Sequence, residues 1–364
     1  MPRSLLVLAL LVPSLVSLAC GRRGVQVTTA PSAAATMATP ERTRLLLTAL
    51  AHDSMEGRGT GQPGSVRAAR FIAAQMRAAG LEPAGDSGYF QRVPVAITTR
   101  RVRMANGEER ERTGPVLLPS LEALDTVPAQ RRVTAVNVLG VLRGSDPALA
   151  SEVVVVGAHY DHVGIGRAVG GDSIYNGADD DASGVVTTLE VARILAAGTR
   201  PRRTIVFATF TGEEVGGLGV RWYTTHPVAP IEQHVADLQI EMTGRPDSLA
   251  GGAGRGWLTG YERSTMGERF TAAGLPIVAD PRPDQSFFTR SDNIHLARLG
   301  VPAHTLSSFN LHREYHSPDD EVELVDFAHM SALINVAAEA VRLLADGPRP
   351  EWKPGGRPQP PNRP

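Results

Sequence analysis

One cysteine, Cys20, and one lysine, Lys353, occur among the 364 residues of this chain. A single thiol cannot form an internal disulfide, so core packing and bound ions must hold the fold together. The only lysine lies in a C-terminal Pro-rich stretch, which excludes lysine-based catalysis from the folded part. Charge of one sign is also missing: 37 basic residues face 38 acidic ones, for a formal net charge of −1. That balance leaves no basic stripe for a nucleic acid. What remains, 42% hydrophobic and 21% charged, is ordinary globular composition. It suits one large α/β domain or two smaller ones.

Long apolar runs are absent apart from the first twenty residues, MPRSLLVLALLVPSLVSLAC, which read as a secretory signal too short to span a bilayer. Cys20 follows Ser-Leu-Ala and resembles a bacterial lipoprotein processing site, although Ser17 stands where Leu is more usual. The alternative is ordinary signal cleavage nearby. Both predict export, either as a cell-envelope lipoprotein anchored through Cys20 or as a periplasmic or secreted protein. The predicted organisation is a signal over 1–20, a flexible tether over 21–40, a folded domain over 41–346 and a disordered Pro-rich tail over 347–364.

Inside the folded part, RTRLLLTALA and SVRAARFIAAQMRAAG carry helical patterns, the second closed by Gly80. Beyond about residue 130 the pattern becomes strand, loop, helix, repeated. Strands are predicted at 152–157, 203–209, 235–241 and 300–307, and helices at 184–197, 217–225, 264–273 and 326–345. Such alternation means a mixed, mostly parallel α/β sheet with helices on both faces. Ligands of open α/β sheets bind beyond the carboxyl ends of the strands.

Chemistry-bearing residues sit at those ends. AHYDHVG carries His159, Asp161 and His162, and GADDDASG carries Asp179, Asp180 and Asp181. FTGEEVGG carries Glu213 and Glu214, VADLQIE ends in Glu241, and EYHSPDD carries Tyr315 and His316. Three adjacent aspartates with no basic neighbour repel one another, and a cation is the simplest thing that would hold them. Imidazoles and carboxylates suit zinc, and a bridging carboxylate between two ions is the recurrent co-catalytic hydrolase arrangement.

In this order the motifs HYDHVG, GADDDASG, TGEEVGG, IEMTG and YHSPDD closely resemble the exported bacterial aminopeptidases of metallopeptidase family 28, relatives of glutamate carboxypeptidase and the transferrin receptor ectodomain. The resemblance covers roughly residues 41–345, with no room in 91–135 for a full protease-associated insertion. It implies a zinc-exopeptidase fold, two zinc ions per chain and peptide substrates. Residue by residue, it implies that Asp180 bridges the metals, that Glu214 and His316 complete one site, and that His159 and Glu241 complete the other. It implies further that Glu213 is the general base, that Asp161 orients His159 and that Tyr315 helps an oxyanion. Glu241 departs from the family, where Asp is commoner.

The remaining candidates have plainer expectations. Asp179 and Asp181 are expected to cap the following helix, and His162 to support the site rather than ligate. Asp319 and Asp320 read as a turn or helix start, and Ser291-Asp292 as a candidate pocket wall. His226, His234, His295 and His329 are expected to be structural. Rival readings are a carboxypeptidase or dipeptidase on the same scaffold, a one-zinc glutaminyl cyclase, and a surface module without catalysis. Sequence leaves the oligomeric state open.

Overall fold

The computed structural model describes residues 36–103 and 107–360. The expected signal, with Cys20, and nearly all of the expected tether lie outside them. Five segments rich in β-branched and apolar residues build the centre of a nine-stranded sheet: β1 (Val136–Leu142), β2 (Val153–His159), β3 (Thr204–Phe210), β4 (His234–Glu241) and, past two short strands, β7 (Ala303–Ser307). The short strands are β5 (Gly256–Leu258) and β6 (Ile277–Ala279), and the spatial order is β1-β3-β2-β4-β7-β5-β6. Pairs β3–β2, β2–β4, β4–β7 and β5–β6 are parallel, whereas β1 and β5 join antiparallel. Strand β2, VVVVGAH, is buried at every position, as a strand covered on both faces must be.

Alternate residues of these strands serve two cores. On one face Val154, Val156, Ile205, Phe207, Leu238 and Ile240 meet helices α1 (Pro40–Leu50), α2 (Pro63–Ala78), α3 (Gly184–Ala197) and α7 (Phe327–Asp346). On the other face Val153, Val155, Val206 and Ala208 meet Val220 and Tyr223 of α4 (Leu218–Thr225) and Ile294 and Leu296 of α6 (Asn293–Leu299). A further short helix, α5 (Met266–Ala272), adds Met266 and Phe270 to the first core. The mostly parallel sheet with helices on both faces is the architecture expected from sequence.

Local chemistry explains where the helices start and stop. Pro40 and Pro63 open α1 and α2, where a missing amide hydrogen costs nothing. Asp326 accepts from the amides of Ala328 and His329 and so caps α7. Gly80, two residues past α2, adopts φ +79°, the left-handed stop that its position suggested. Helix α7 is long and apolar enough to cross a membrane, but its Met330, Leu333, Ile334 and Val341 are buried in the core. Residues 91–135 hold a small three-stranded sheet built on the hairpin Val95–Arg103 and Glu109–Leu117, with no room for an inserted domain.

The C-terminal tail differs from its expectation. Between residues 347 and 360 the chain packs back on the domain: Trp352 bridges to Ser264, and its Nε1 donates to the Gly300 carbonyl at 2.9 Å. The indole also lies 5.6 Å from the His304 ring, and Lys353 pairs with Glu268. Composition averaged over a Pro- and Gly-rich window hides the single aromatic anchor that orders it. Replacing Trp352 with Ala is expected to cost about 2 kcal/mol, through lost packing and one hydrogen bond. Thermal denaturation checks this: a midpoint several degrees lower is expected, and an unchanged midpoint would show that the tail adds nothing.

Candidate metal and catalytic centre

The loop GADDDASG joins the end of the Asp172–Tyr175 strand to α3, lies against β4 and meets His159, the last residue of β2, through Asp180. Its geometry is set by buried partners distant in sequence. Arg58 is fully buried and spreads its guanidinium over backbone carbonyls: Nε donates to Tyr160 at 2.9 Å, Nη1 to Asn176 at 2.6 Å and Nη2 to Gly177 at 2.8 Å. Only arginine offers a rigid fork of five donors. Burial pulls its pKa down, while Asp180, Asp181, Asp320 and Asp161 oppose that pull. From the other side Asp320 Oδ2 accepts from the amides of Asp179 and Asp180, each at 3.0 Å, and Arg245 pairs with Asp320 Oδ1 at 3.3 Å. Gly184 is required where α3 starts, because a Cβ there would stand 2.2 Å from the Ile240 carbonyl oxygen.

The three aspartates separate into three tasks. Asp181 Oδ1 accepts from the amides of Gly184, at the start of α3, and Met242, so it caps the helix as expected and ties it to the end of β4. Asp179 does not cap: its Oδ1 accepts from Gly244 N at 2.7 Å and its Oδ2 faces His312 Nε2 at 3.1 Å. Asp180, held by its backbone, turns both oxygens to imidazoles. Its Oδ1 lies 3.3 Å from His159 Nε2, and its Oδ2 lies 3.0 Å from His316 Nε2 and 3.6 Å from His162 Nδ1. The peptide between Asp180 and Asp181 is cis.

Glu214 closes the cluster. Its Oε1 lies 2.8 Å from His162 Nδ1 and 3.1 Å from His316 Nε2. One atom each from His162, Asp180, Glu214 and His316 therefore falls within 4.8 Å of every other. His159, Asp180, Glu213, Glu214, Glu241 and Tyr315 line one cavity, and His316, the remaining ligand candidate, reaches it through Asp180 and Glu214. Two of their neighbouring backbone positions are unusual: His316 and Met242, which follows Glu241, have φ near +50°, costly for residues with a Cβ.

Some expectations need correction. His162, expected to support the site, does so with its Nδ1 2.8 Å from Glu214 Oε1, and it also stands inside the four-residue cluster. The Asp161 carboxylate does not orient His159. Its Oδ1 is 4.0 Å away, and the Asp161 backbone carbonyl instead faces His159 Nδ1 at 3.0 Å. The carboxylate accepts from Thr60 Oγ1 at 2.8 Å and from the Glu213 amide at 3.1 Å, so it positions the Glu213 backbone. Asp320 closes a turn on the Ser317 carbonyl, as expected, and its side chain is buried. Arg58, Arg245 and His312 were missed altogether; the one signal for Arg58 was its place inside the Gly-rich segment EGRGTGQPG. His226, His234 and His329 are structural as expected: His226 stacks on Trp222, His234 meets Tyr223 Oη, and His329 accepts from the Gly254 amide.

Electrostatics show a site short of positive charge. Burial and Asp180 push Glu214 up, yet hydrogen bonds from His162 and His316 hold it at about 2. His316 rises to about 10 against the pull of burial, by pairing with Asp180 and Glu214. Burial likewise opposes His159, but Asp180, Asp181 and Glu213 carry it well above its ordinary value. Asp180 sits well below the carboxylate range: burial resists, and the three imidazoles prevail. Glu213 moves oppositely. Burial raises it well above the usual value, His159 works against that, and Glu241, Asp292 and Glu214 add to the rise. Imidazoles that keep their protons beside ionised carboxylates are the arrangement in which cations would take the place of those protons.

The other wall of the cavity is aromatic and apolar: Trp257, Phe287, Phe309 and Met242, with Tyr315 stacked on His316 at 3.9 Å between ring centroids. Arg290 joins the lining and lies over the Phe287 ring at 4.9 Å. Burial and the nearby charges of Asp180 and Glu214 keep the Tyr315 hydroxyl protonated by raising its pKa.

Comparison with known proteins is consistent with this geometry. The family model described as Peptidase family M28 matches residues 137–341. A probable leucine aminopeptidase of Arthroderma otae is 28% identical over 199 residues, which cover 52% of this chain and 53% of that protein. The chain thus spans about half the length of the curated relatives it matches. Among solved structures, the aminopeptidase from Aneurinibacillus sp. strain AM-1 shares 16% identity at a TM-score of 0.61, covering 88% of this chain and 97% of that one. The Porphyromonas gingivalis glutaminyl cyclase shares 14% at 0.56, over 84% and 99%. At these identities the likeness concerns the fold alone, and the fold does not choose between the two chemistries.

Removing Arg58 tests how the loop is held. Arg58→Met strands three or more buried carbonyls next to uncompensated aspartates, and is expected to cost more than about 3 kcal/mol. Arg58→Lys lacks the fork and is expected to restore little. Urea denaturation of both variants measures this, and wild-type stability in either would contradict the clamp.

Proposed function

This chain belongs to Peptidase family M28, and from that premise we propose that it is a zinc-dependent peptide hydrolase, using two zinc ions, that releases residues from free N-termini. The observation that carries the reading is Asp180, whose Oδ1 faces the His159 imidazole and whose Oδ2 faces that of His316, beside a Glu213 carboxyl that burial raises well above the usual range. The residues fit zinc. The donors are imidazoles and carboxylates, and Asp180 Oδ2 is buried without a hydrogen bond of good geometry. His159 and Glu241 would hold one ion, Glu214 and His316 the other, with Asp180 shared.

Bound zinc would supply Lewis acidity, polarising a peptide carbonyl and acidifying a water. The protein supplies the rest. Glu213, raised by burial and neighbouring carboxylates, is suited to take the proton of that water near neutral pH and return it to the leaving amine. The Asp161 carboxylate fixes the Glu213 backbone, and that tether keeps base and ligand, adjacent in sequence, from exchanging roles. Tyr315 keeps its proton and so can donate a hydrogen bond to an oxyanion. Trp257, Phe287, Phe309 and Met242 offer an apolar seat for the side chain next to the scissile bond. An excess of carboxylates favours a free α-ammonium over an α-carboxylate at this mouth. A carboxypeptidase or dipeptidase is the second reading, supported by Arg290 in the cavity lining, whose guanidinium suits a C-terminal carboxylate.

Two measurements test this. Aminoacyl nitroanilides should be cleaved while their N-acetylated forms are not, and a strong chelator should abolish cleavage. Preference for N-blocked peptides with a free carboxylate would hand the assignment to the second reading. Glu213→Gln should retain its zinc and lose roughly 10²–10⁴ in turnover, the usual worth of a general base. Near-normal turnover in a fully metallated Glu213→Gln protein would remove Glu213 from that role.

A further inference from the structure

His162 is the one member of the cluster for which the reading above has no use. It lies in the turn after β2, three residues beyond His159, and is 2% exposed. Its Nδ1 points at Glu214 Oε1 and Asp180 Oδ2, the same two oxygens that His316 Nε2 approaches. Its other nitrogen, Nε2, is buried with no hydrogen-bonding partner among the described residues. The ring is thus placed for what Nδ1 meets. His159 differs: its second nitrogen is braced by the Asp161 carbonyl at 3.0 Å, and His162 lies on the opposite side of Asp180.

The distances fit a coordination shell as well as they fit hydrogen bonds. A tetrahedral ion bound at the usual zinc–nitrogen and zinc–oxygen lengths has ligand atoms about 3.3 Å apart. The four edges joining the imidazole nitrogens of His162 and His316 to the oxygens of Asp180 and Glu214 measure 2.8, 3.6, 3.0 and 3.1 Å. Two nitrogens and two carboxylate oxygens complete four-coordination without water.

We propose that His162 is a zinc ligand through Nδ1, so that the two metal positions are unequal: one closed by four side chains, the other held by three and open. The closed position comprises His162, Asp180, Glu214 and His316, and the open one His159, Asp180 and Glu241. Closed four-ligand sites are the structural kind, whereas sites that keep a free position are the catalytic kind. The first ion therefore fills first and exchanges slowly, and it fixes Asp180 for the second. The second ion accepts water and substrate beside Glu213. This inference rests on the two-zinc reading.

X-ray absorption at the zinc edge on the full-length protein counts imidazoles directly. With one equivalent of zinc the expected shell holds two imidazoles, and with two equivalents an average of one and a half per ion. One imidazole per ion at both loadings overturns the proposal and leaves the two-zinc reading intact; no zinc binding overturns both. His162→Asn adds a test that separates ligation from support. Asn can reproduce a hydrogen bond to Glu214 but is a poor zinc ligand. Competition with a chelator should show the tighter zinc held at least tenfold less firmly in His162→Asn, with the weaker one less changed. Retention equal to wild type would show that His162 only positions Glu214. Should the variant fold poorly, the imidazole count on the wild-type protein still decides.

Discussion

Mutual repulsion among buried carboxylates is the constraint on which the rest of this structure turns. Asp179, Asp180 and Asp181 are buried in succession, with Glu213, Glu214, Glu241, Asp292 and Asp320 close by. Each ionised group would be costly alone. Arg58 and Arg245 supply fixed positive charge, and the backbone amides of Gly184, Met242 and Gly244 donate hydrogen bonds to Asp181 and Asp179. What is left over, centred on Asp180, falls to imidazoles. That residue of uncompensated charge is what gives the site its affinity for cations.

Sheet topology decides where the charge collects. Parallel β2, β3 and β4 all end on the same edge, so the segments after them deliver His159, Glu213 and Glu241 into one cavity. Register makes the delivery accurate: His159 pairs with Phe210, and Glu241 pairs with Ser307. Adjacent glutamates then acquire opposite characters from their partners. Two imidazoles hold Glu214 ionised at about 2, whereas burial and like charges hold Glu213 above its usual range. Divergent pKa values in neighbouring carboxyls suit the proposed division of roles, Glu214 as ligand and Glu213 as base.

Much of this was legible in the sequence, for reasons that are physical. Continuous apolar runs mark strands covered on both faces, and the residues just after them must lie on the ligand edge. The segments that carry His159, Asp180, Glu213, Glu214, Glu241 and His316 are legible that way, the resemblance to family 28 singles these residues out within them, and the structure gathers them. Residues whose meaning depends on distant partners were not legible. Arg58 reads as one arginine among many until its guanidinium meets the Tyr160 carbonyl, 102 residues away. Asp320 reads as a turn residue and is one, but only the fold shows that the amides of Asp179 and Asp180 reach its carboxylate. His162 and Asp161 share a motif with His159, but only the turn after β2 determines which nitrogen or oxygen each presents, and to whom. Trp352 was hidden by the composition around it.

The central claim is that Asp180 sits between two cations. Anomalous diffraction from crystals of the full-length protein, recorded on either side of the zinc edge, tests it most directly. Two zinc peaks are expected, one among Asp180, His159 and Glu241 and the other among Asp180, Glu214 and His316. A single peak at Asp180, or none, in crystals grown with zinc in excess would contradict the account.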